Sequence, residues 1–188
     1  MSGIELVANG MQKSSGHSFR SKKDRWAVTL RSSTLSLETV GYDTFDDFEM
    51  RIEHLIEASK TFIDSDFFTR VGIRYVNALP YEKSNLSKWI NPELVRPLAV
   101  DAFGDVKECT QQIRGTTTDG QYFFQHGLGG DGGERRYVID LDFYSEDLTV
   151  ADTMATVREL HARLFDLFMW AIGPAAVKAM EGGTLSAR

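Results

Sequence analysis

The chain has 188 residues, 42% hydrophobic and 26% charged, which suits one globular domain with an ordinary apolar core. Its 21 Lys and Arg against 27 Asp and Glu give a formal charge of −6, which argues against broad, sequence-independent nucleic-acid binding, since that needs a basic surface. The single cysteine, Cys109, excludes an internal disulfide and makes a reducing cytoplasm the expected compartment.

No apolar run approaches the roughly 20 residues needed to span a bilayer. The opening "MSGIELVANGMQKSSGHSF" has no sustained apolar segment behind a basic start, so it does not read as a secretory signal. Residues 1–25 read as a flexible lead-in, or as a short edge strand near Ile4–Val7. A single α+β domain is expected over residues 26–175, followed by a tail over 176–188.

In chain order, "RWAVTLRSSTLSLETV" (25–40) carries two alternating runs around Ser32–Ser33, a hairpin pattern. "YDTFDDFEMRIEHLIEASKTFI" is an amphipathic helix: Phe45, Phe48, Ile52, Leu55, Ile56 and Ser59 recur at helical spacing. Thr44 is placed as its N-cap, and Asp46 and Asp47 fall beside its positive end. "DFFTRVGIRYVNALP" (66–80) reads as a strand that stops at Pro80. "LSKWINPELVRPLAV" (86–100) suits one or two short helical turns, punctuated by Pro92 and Pro97.

Three strands follow near 107–116, 120–127 and 135–144. Asp119–Gly120 favours a tight turn between the first two, and "GLGGDGGERR" joins the last two. A long terminal helix is expected from about Ser145 or Thr149 to Ile172, ended or kinked by Gly173–Pro174. The order β-β-α-β-(short α)-β-β-β-α implies an α+β fold. The expected form is an antiparallel sheet of about six strands packed against two main helices, with the long helix C-terminal.

"GHSFRSKKDRWAVTLRSSTLSLETVGYDTFDDF", "FTRVGIRYVNALP" and "RRYVIDLDFY" together resemble a sporadically distributed, uncharacterised family of prokaryotic proteins. That family is marked by an Arg-x-Gly-x-Arg-Tyr-x-Asn strand, here Arg70, Gly72, Arg74, Tyr75 and Asn77. The resemblance covers roughly residues 16–175. Members usually begin with an extra apolar strand that is short or missing here, so this chain is either a compact variant or has an open sheet edge. The resemblance implies no catalytic residue.

Strand alternation sets Val71, Ile73 and Tyr75 on one face and Arg70, Gly72, Arg74 and Val76 on the other. Gly72 leaves a gap that a neighbouring aromatic can fill, and Asn77 is placed to tie a turn at the strand's end. In "VIDLDFY", Asp140 and Asp142 share a face, which offers cross-sheet partners to Arg70 or Arg74. A weak alternative makes Asp140 and Asp142 a Mg²⁺ site, with Glu146 or Asp147 as third carboxylate. Two arginines on one face also suit a phosphate or carboxylate. Arg135 and Arg136, at the base of the glycine-rich loop, are further candidates for partner contact.

The four histidines have no metal-ligand spacing. Cys109 has no adjacent histidine, and the glycine-rich loop lacks the Gly-Lys-Ser/Thr ending of a phosphate loop. No catalytic residue and no cofactor is called, and the reading leans away from an enzyme.

The expected function is therefore a non-enzymatic protein-binding or assembly module, with a protein partner or a homo-oligomer and no membrane. Its candidate contact residues are Arg70, Arg74, Tyr75, Asn77, Arg135 and Arg136. The alternative is a sensor or enzyme that binds a nucleotide or phosphate-bearing ligand between sheet and helix. Nucleic-acid contact through "FRSKKDR" is the weakest reading.

Overall fold

The computed structural model describes residues 2–7, 16–63, 65–129 and 135–181, with 2–7 and Asn85 described at the backbone alone. Eight strands form one antiparallel sheet: β1 (Ser2–Val7), β2 (His17–Arg20), β3 (Trp26–Arg31), β4 (Thr34–Thr39), β5 (Phe67–Pro80), β6 (Cys109–Thr116), β7 (Gln121–Gly129) and β8 (Arg136–Thr149). Their spatial order is β2-β3-β4-β1-β5-β8-β7-β6. The helices are α1 (Phe45–Phe62), α2 (Leu86–Trp89), α3 (Pro92–Ala99), α4 (Thr153–Ala171) and α5 (Pro174–Glu181).

The α+β class and the antiparallel pairing agree with the sequence, but two details differ. Among the described residues the sheet has eight strands rather than about six, because the N-terminal region supplies β1 and β2. The long helix is not the last element: Gly173–Pro174 ends α4 and starts α5, which lies partly in the stretch expected to be a tail.

Nor does β1 lie at an edge. It pairs on one side with β4 and on the other with β5, six residues each way. A short run such as "SGIELV" fits a central strand as well as an edge one in sequence, and only its pairing partners distinguish the two.

Alternation assigns the sheet's two faces. Val71, Ile73 and Tyr75 of β5, and Tyr137, Ile139, Leu141 and Phe143 of β8, are buried. Leu35 and Leu37 of β4 and Phe124 and Leu128 of β7 extend this apolar face. Phe48, Ile52 and Ile56 of α1 and Val157, Leu160, Leu164 and Phe168 of α4 pack in the same core.

Thr44 caps α1 as expected, accepting from the Asp47 N–H at 3.3 Å. The hairpin turn at Ser32–Ser33 is also as expected. Strand β8 runs to Thr149, so α4 cannot begin at Ser145; it starts at Thr153, after Thr149 has bonded Asp152. The strand continues through the polar "SEDLT" with a change of parity at Asp147, whose φ is 54°, so that Leu148 and not Thr149 packs on the core; a hydrophobic pattern cannot register such a stretch.

Candidate functional site

The sheet face opposite the helices carries the chemistry of the Arg70–Asn77 phrase. Along the strands its rows read Gly72–Tyr144–Gln121–Thr116, then Arg74–Asp142–Phe123–Arg114, then Val76–Asp140–Gln125–Gln112. These are cross-strand neighbours, close enough for side chains to touch.

Arg74 donates to Asp140 through Nε to Oδ1 at 2.7 Å and through Nη2 to Oδ2 at 2.5 Å, a bidentate fork. Its direct strand partner is Asp142, so this bond runs diagonally. Arg70 donates from Nη2 to Asp142 Oδ2 at 2.8 Å. To do so it crosses Gly72 and lays its guanidinium 4.3 Å from the Tyr144 ring centroid.

A Cβ at Gly72 would meet Tyr144 Cβ at 3.0 Å and Arg70 Nη2 at 3.4 Å. Glycine thus keeps open the path between the two charges, and Tyr144 is the aromatic that fills the gap. Burial pushes the Asp142 carboxyl above its usual range, although Arg70 and Arg74 both pull it down.

Next to these pairs is a cavity of about 610 Å³ lined by Arg70, Arg114, Thr116, Phe123, Tyr144 and Glu146, among others. Within it Arg114 stacks 4.6 Å from the Phe123 centroid. Gln121 bridges the strands: its Nε2 donates to Glu146 Oε2 at 2.9 Å, and its Oε1 accepts from the Tyr144 hydroxyl at 3.1 Å.

The structure brings together Arg70, Arg74, Asp140 and Asp142, and separates the other candidates. Tyr75 is buried under the helices, where its hydroxyl meets His161 Nδ1 at 3.1 Å and Tyr42 at 3.4 Å. Asn77 is not in a turn: β5 continues to Pro80, and Asn77 stands opposite Ile139. Arg136 faces Pro80, six strand positions beyond Arg74, or about 20 Å at ~3.3 Å per residue. Arg135 forks onto Asp105 at 2.8 and 3.2 Å. Its hydrogen bonds, with those of Lys107, hold the Asp105 carboxyl well below the usual range. The segment 130–134 of the glycine-rich loop lies outside the described residues.

Asp140 and Asp142 are each engaged by an arginine, and Glu146 by Gln121. Among the described residues no group of three or more His, Cys, Asp or Glu is placed to hold a metal ion. Arg114, Gln121 and Gln112 were missed as members of the face. Their parity along β6 and β7 was the available signal, but it needed the hairpin register to become a position.

Two polar clusters lie on the covered face. His161 stacks on Phe45, centroids 3.7 Å apart, which joins α4 to α1. His126 shares a 2.7 Å hydrogen bond between Nδ1 and the Tyr137 hydroxyl. Burial lowers the pKa of both histidines.

No helix among the described residues is long and apolar enough to cross a membrane. Comparison with protein-family models, curated proteins and solved structures gave no significant match.

Proposed function

We propose that the chain is a non-enzymatic protein-docking and assembly module whose helix-free sheet face receives a protein partner. The balance of charge on that face carries the reading. Arg70, Arg74 and Arg114 stand among Asp140, Asp142 and Glu146, and the first two arginines are already paired. At Arg70 or Arg74 an arriving phosphate would have to displace a carboxylate from its guanidinium and then lie beside the remaining acids, at a Coulombic cost.

A broad face of stacked arginines, aromatics and amides, nearly neutral overall, instead matches the composition that concentrates at protein interfaces. Membership of the sporadic family marked by the Arg70–Asn77 phrase belongs to this proposal, as does a cytoplasmic setting.

A second reading keeps a phosphate-bearing ligand, now in the open-face cavity rather than between sheet and helix. Arg114 favours it, since its guanidinium lies over Phe123 in the cavity wall. Two measurements separate the readings. Under the docking reading, ATP and inorganic phosphate leave the melting temperature unchanged. A protein captured from cell extract by the wild type is lost with Phe123→Asp and kept with Phe165→Ser, a change on α4. If phosphate stabilises the wild type and Arg114→Ala abolishes that effect, the ligand reading replaces docking. Capture indifferent to Phe123 also overturns docking.

A further inference from the structure

Among the described residues β6 is the last strand on its side of the sheet, with β7 as its only neighbour. Sheet edges that stay single are commonly blunted by lysine, proline, a bulge or a covering element. The eight residues of β6, "CTQQIRGT", contain neither lysine nor proline. The register with β7 runs unbroken from Cys109↔Leu128 to Thr116↔Gln121, so there is no bulge. Its single charge is Arg114. Ile113, near the middle, is 45% exposed although its side chain lies on the helix-bearing face.

The direction of the backbone groups follows from the hairpin tip. Thr117 N–H bonds Gly120 C=O at 2.7 Å, so Thr117 points its amide toward β7. Alternation then turns Ile113 and Gln111 inward as well, and leaves the N–H and C=O of Thr110, Gln112, Arg114 and Thr116 directed at the open edge.

We propose that two copies of this chain pair antiparallel through β6, with the two-fold axis at Ile113 and normal to the sheet. In this register each outward-directed residue meets another outward-directed one. Gln112 faces the second copy's Arg114, and Thr110 faces its Thr116. The two Ile113 side chains meet at the axis, in the closer, non-hydrogen-bonded type of pair.

No like charges are opposed. The guanidinium of Arg114 gains an amide oxygen, Thr–Thr pairs are favourable across strands, and an exposed isoleucine is covered by its own copy. A register shifted so that Arg114 faces Arg114 would oppose like charges across the axis, so the sequence selects against it. Such a self-complementary patch is what a closed two-fold dimer requires. Because the axis is normal to the sheet, both helix layers fall on one side. The two open faces therefore join into one platform twice as wide.

This pairing deepens the assembly reading and rests on it only in kind, because it uses the edge and not the face. Sedimentation of the wild type is expected to give twice the chain mass. Gln112→Pro removes an N–H that points outward, so it spares the β6–β7 ladder. Ile113→Lys sets two charges at the axis. Both variants are expected to be monomers with the circular dichroism of the wild type, and their melting temperature is expected to lose the dependence on chain concentration that dimerisation gives the wild type.

In a Cys109→Ser background, Ile113→Cys is expected to form a disulfide-linked dimer on mild oxidation, since facing Cα atoms in such pairs are about 4.5 Å apart. Gln111→Cys is not, because its copy lies four strand positions away, about 13 Å at ~3.3 Å per residue. A wild type that stays monomeric at its highest soluble concentration overturns the pairing. So does a dimer that survives both edge variants, or equal cross-linking at positions 111 and 113. Capture through Phe123 can succeed or fail independently of all three outcomes.

Discussion

At the scale of single residues, the arginines of the sheet face are structural before they are anything else. Asp140 has 8% of its side chain exposed and relies on Arg74, whose own side chain is 56% exposed. Truncating Arg74 strands a buried carboxylate, a change that costs about 3–5 kcal/mol when both partners are buried. Exposure of Arg74 admits water and screening, so Arg74→Ala is expected to cost less, about 1–2 kcal/mol in urea unfolding. Adding Asp140→Asn to that variant should restore part of the loss, because the stranded charge is gone. An unchanged midpoint for Arg74→Ala would show that the fork contributes nothing.

The covered face gives a pH dependence. The folded-state pKa values of His126 and His161 are depressed below their ordinary 6.5, first by burial. As pH falls through 6.5 the unfolded chain takes up protons before the folded one, so stability present at neutral pH declines on acidification. Asp142 has the opposite sign: its raised folded pKa adds stability as pH falls through that value toward the ordinary 3.8, which offsets part of the histidine loss at the acid end. Denaturation midpoints between pH 7.5 and 5 are therefore expected to fall. His126→Gln should flatten the slope by its own share and leave that of His161. Midpoints independent of pH in the wild type would contradict both burials.

At the scale of elements, what could be read from the sequence depended on local signals. The Thr44 cap and the apolar stripe fixed α1, and Pro80 fixed the end of β5. Alternation in "RVGIRYV" and "IDLDF" located the Arg–Asp face, because period-two parity survives without any knowledge of neighbours. What failed was non-local. Whether β1 was central or peripheral, and which residue of β6 faced Phe123, depended on partners far away in the chain. A polar side chain in a strand looks like punctuation, which places Asn77 at a turn, yet β5 carries it three residues before Pro80.

Gly173 joins the two kinds of signal. It was legible as the end of α4, but its packing role was not. Its N–H donates to Trp89 C=O at 2.7 Å, Asn91 N–H donates to Ala171 C=O at 2.9 Å, and Asn91 Nδ2 donates to Trp170 C=O at 2.9 Å. The backbone of α2 thus sits directly on the α4–α5 junction. A Cβ at Gly173 would stand 2.3 Å from Lys88 O. Since that neighbour is backbone, Gly173→Ala must push α2 away, an overpacking cost of about 1–3 kcal/mol. The expected signature is a lower melting temperature, with faster amide exchange in α2 and α5 and unchanged exchange in β7 and β8. A variant as stable as wild type would mean that α2 docks loosely.

At the scale of the whole molecule, the sheet is two antiparallel halves joined by one strand. Strands β2, β3 and β4 make a three-stranded piece, β5, β8, β7 and β6 make a four-stranded one, and among the described residues β1 alone is hydrogen-bonded to both. Helix α1 follows β4 in the chain and packs with α4 in the shared core, so the halves also meet through the helix layer. Removing residues 1–7 would leave β4 and β5 with a gap of one strand between them and two freshly exposed edges. Each lost backbone hydrogen bond is worth about 1 kcal/mol net, and part of the loss is offset by the ordering entropy of β1. A net loss of roughly 3–4 kcal/mol corresponds to about a 10 °C lower melting temperature for a chain of this size. Amide exchange should accelerate in β4 and along the β1-facing side of β5, while β7 and β8 keep their protection. A synthetic peptide of residues 1–7 should bind the truncated chain and restore both readouts, since strand addition is driven by the same main-chain bonds. If truncation leaves the melting temperature and the protection of β4 unchanged, the helix layer alone holds the halves together and β1 is dispensable to the fold.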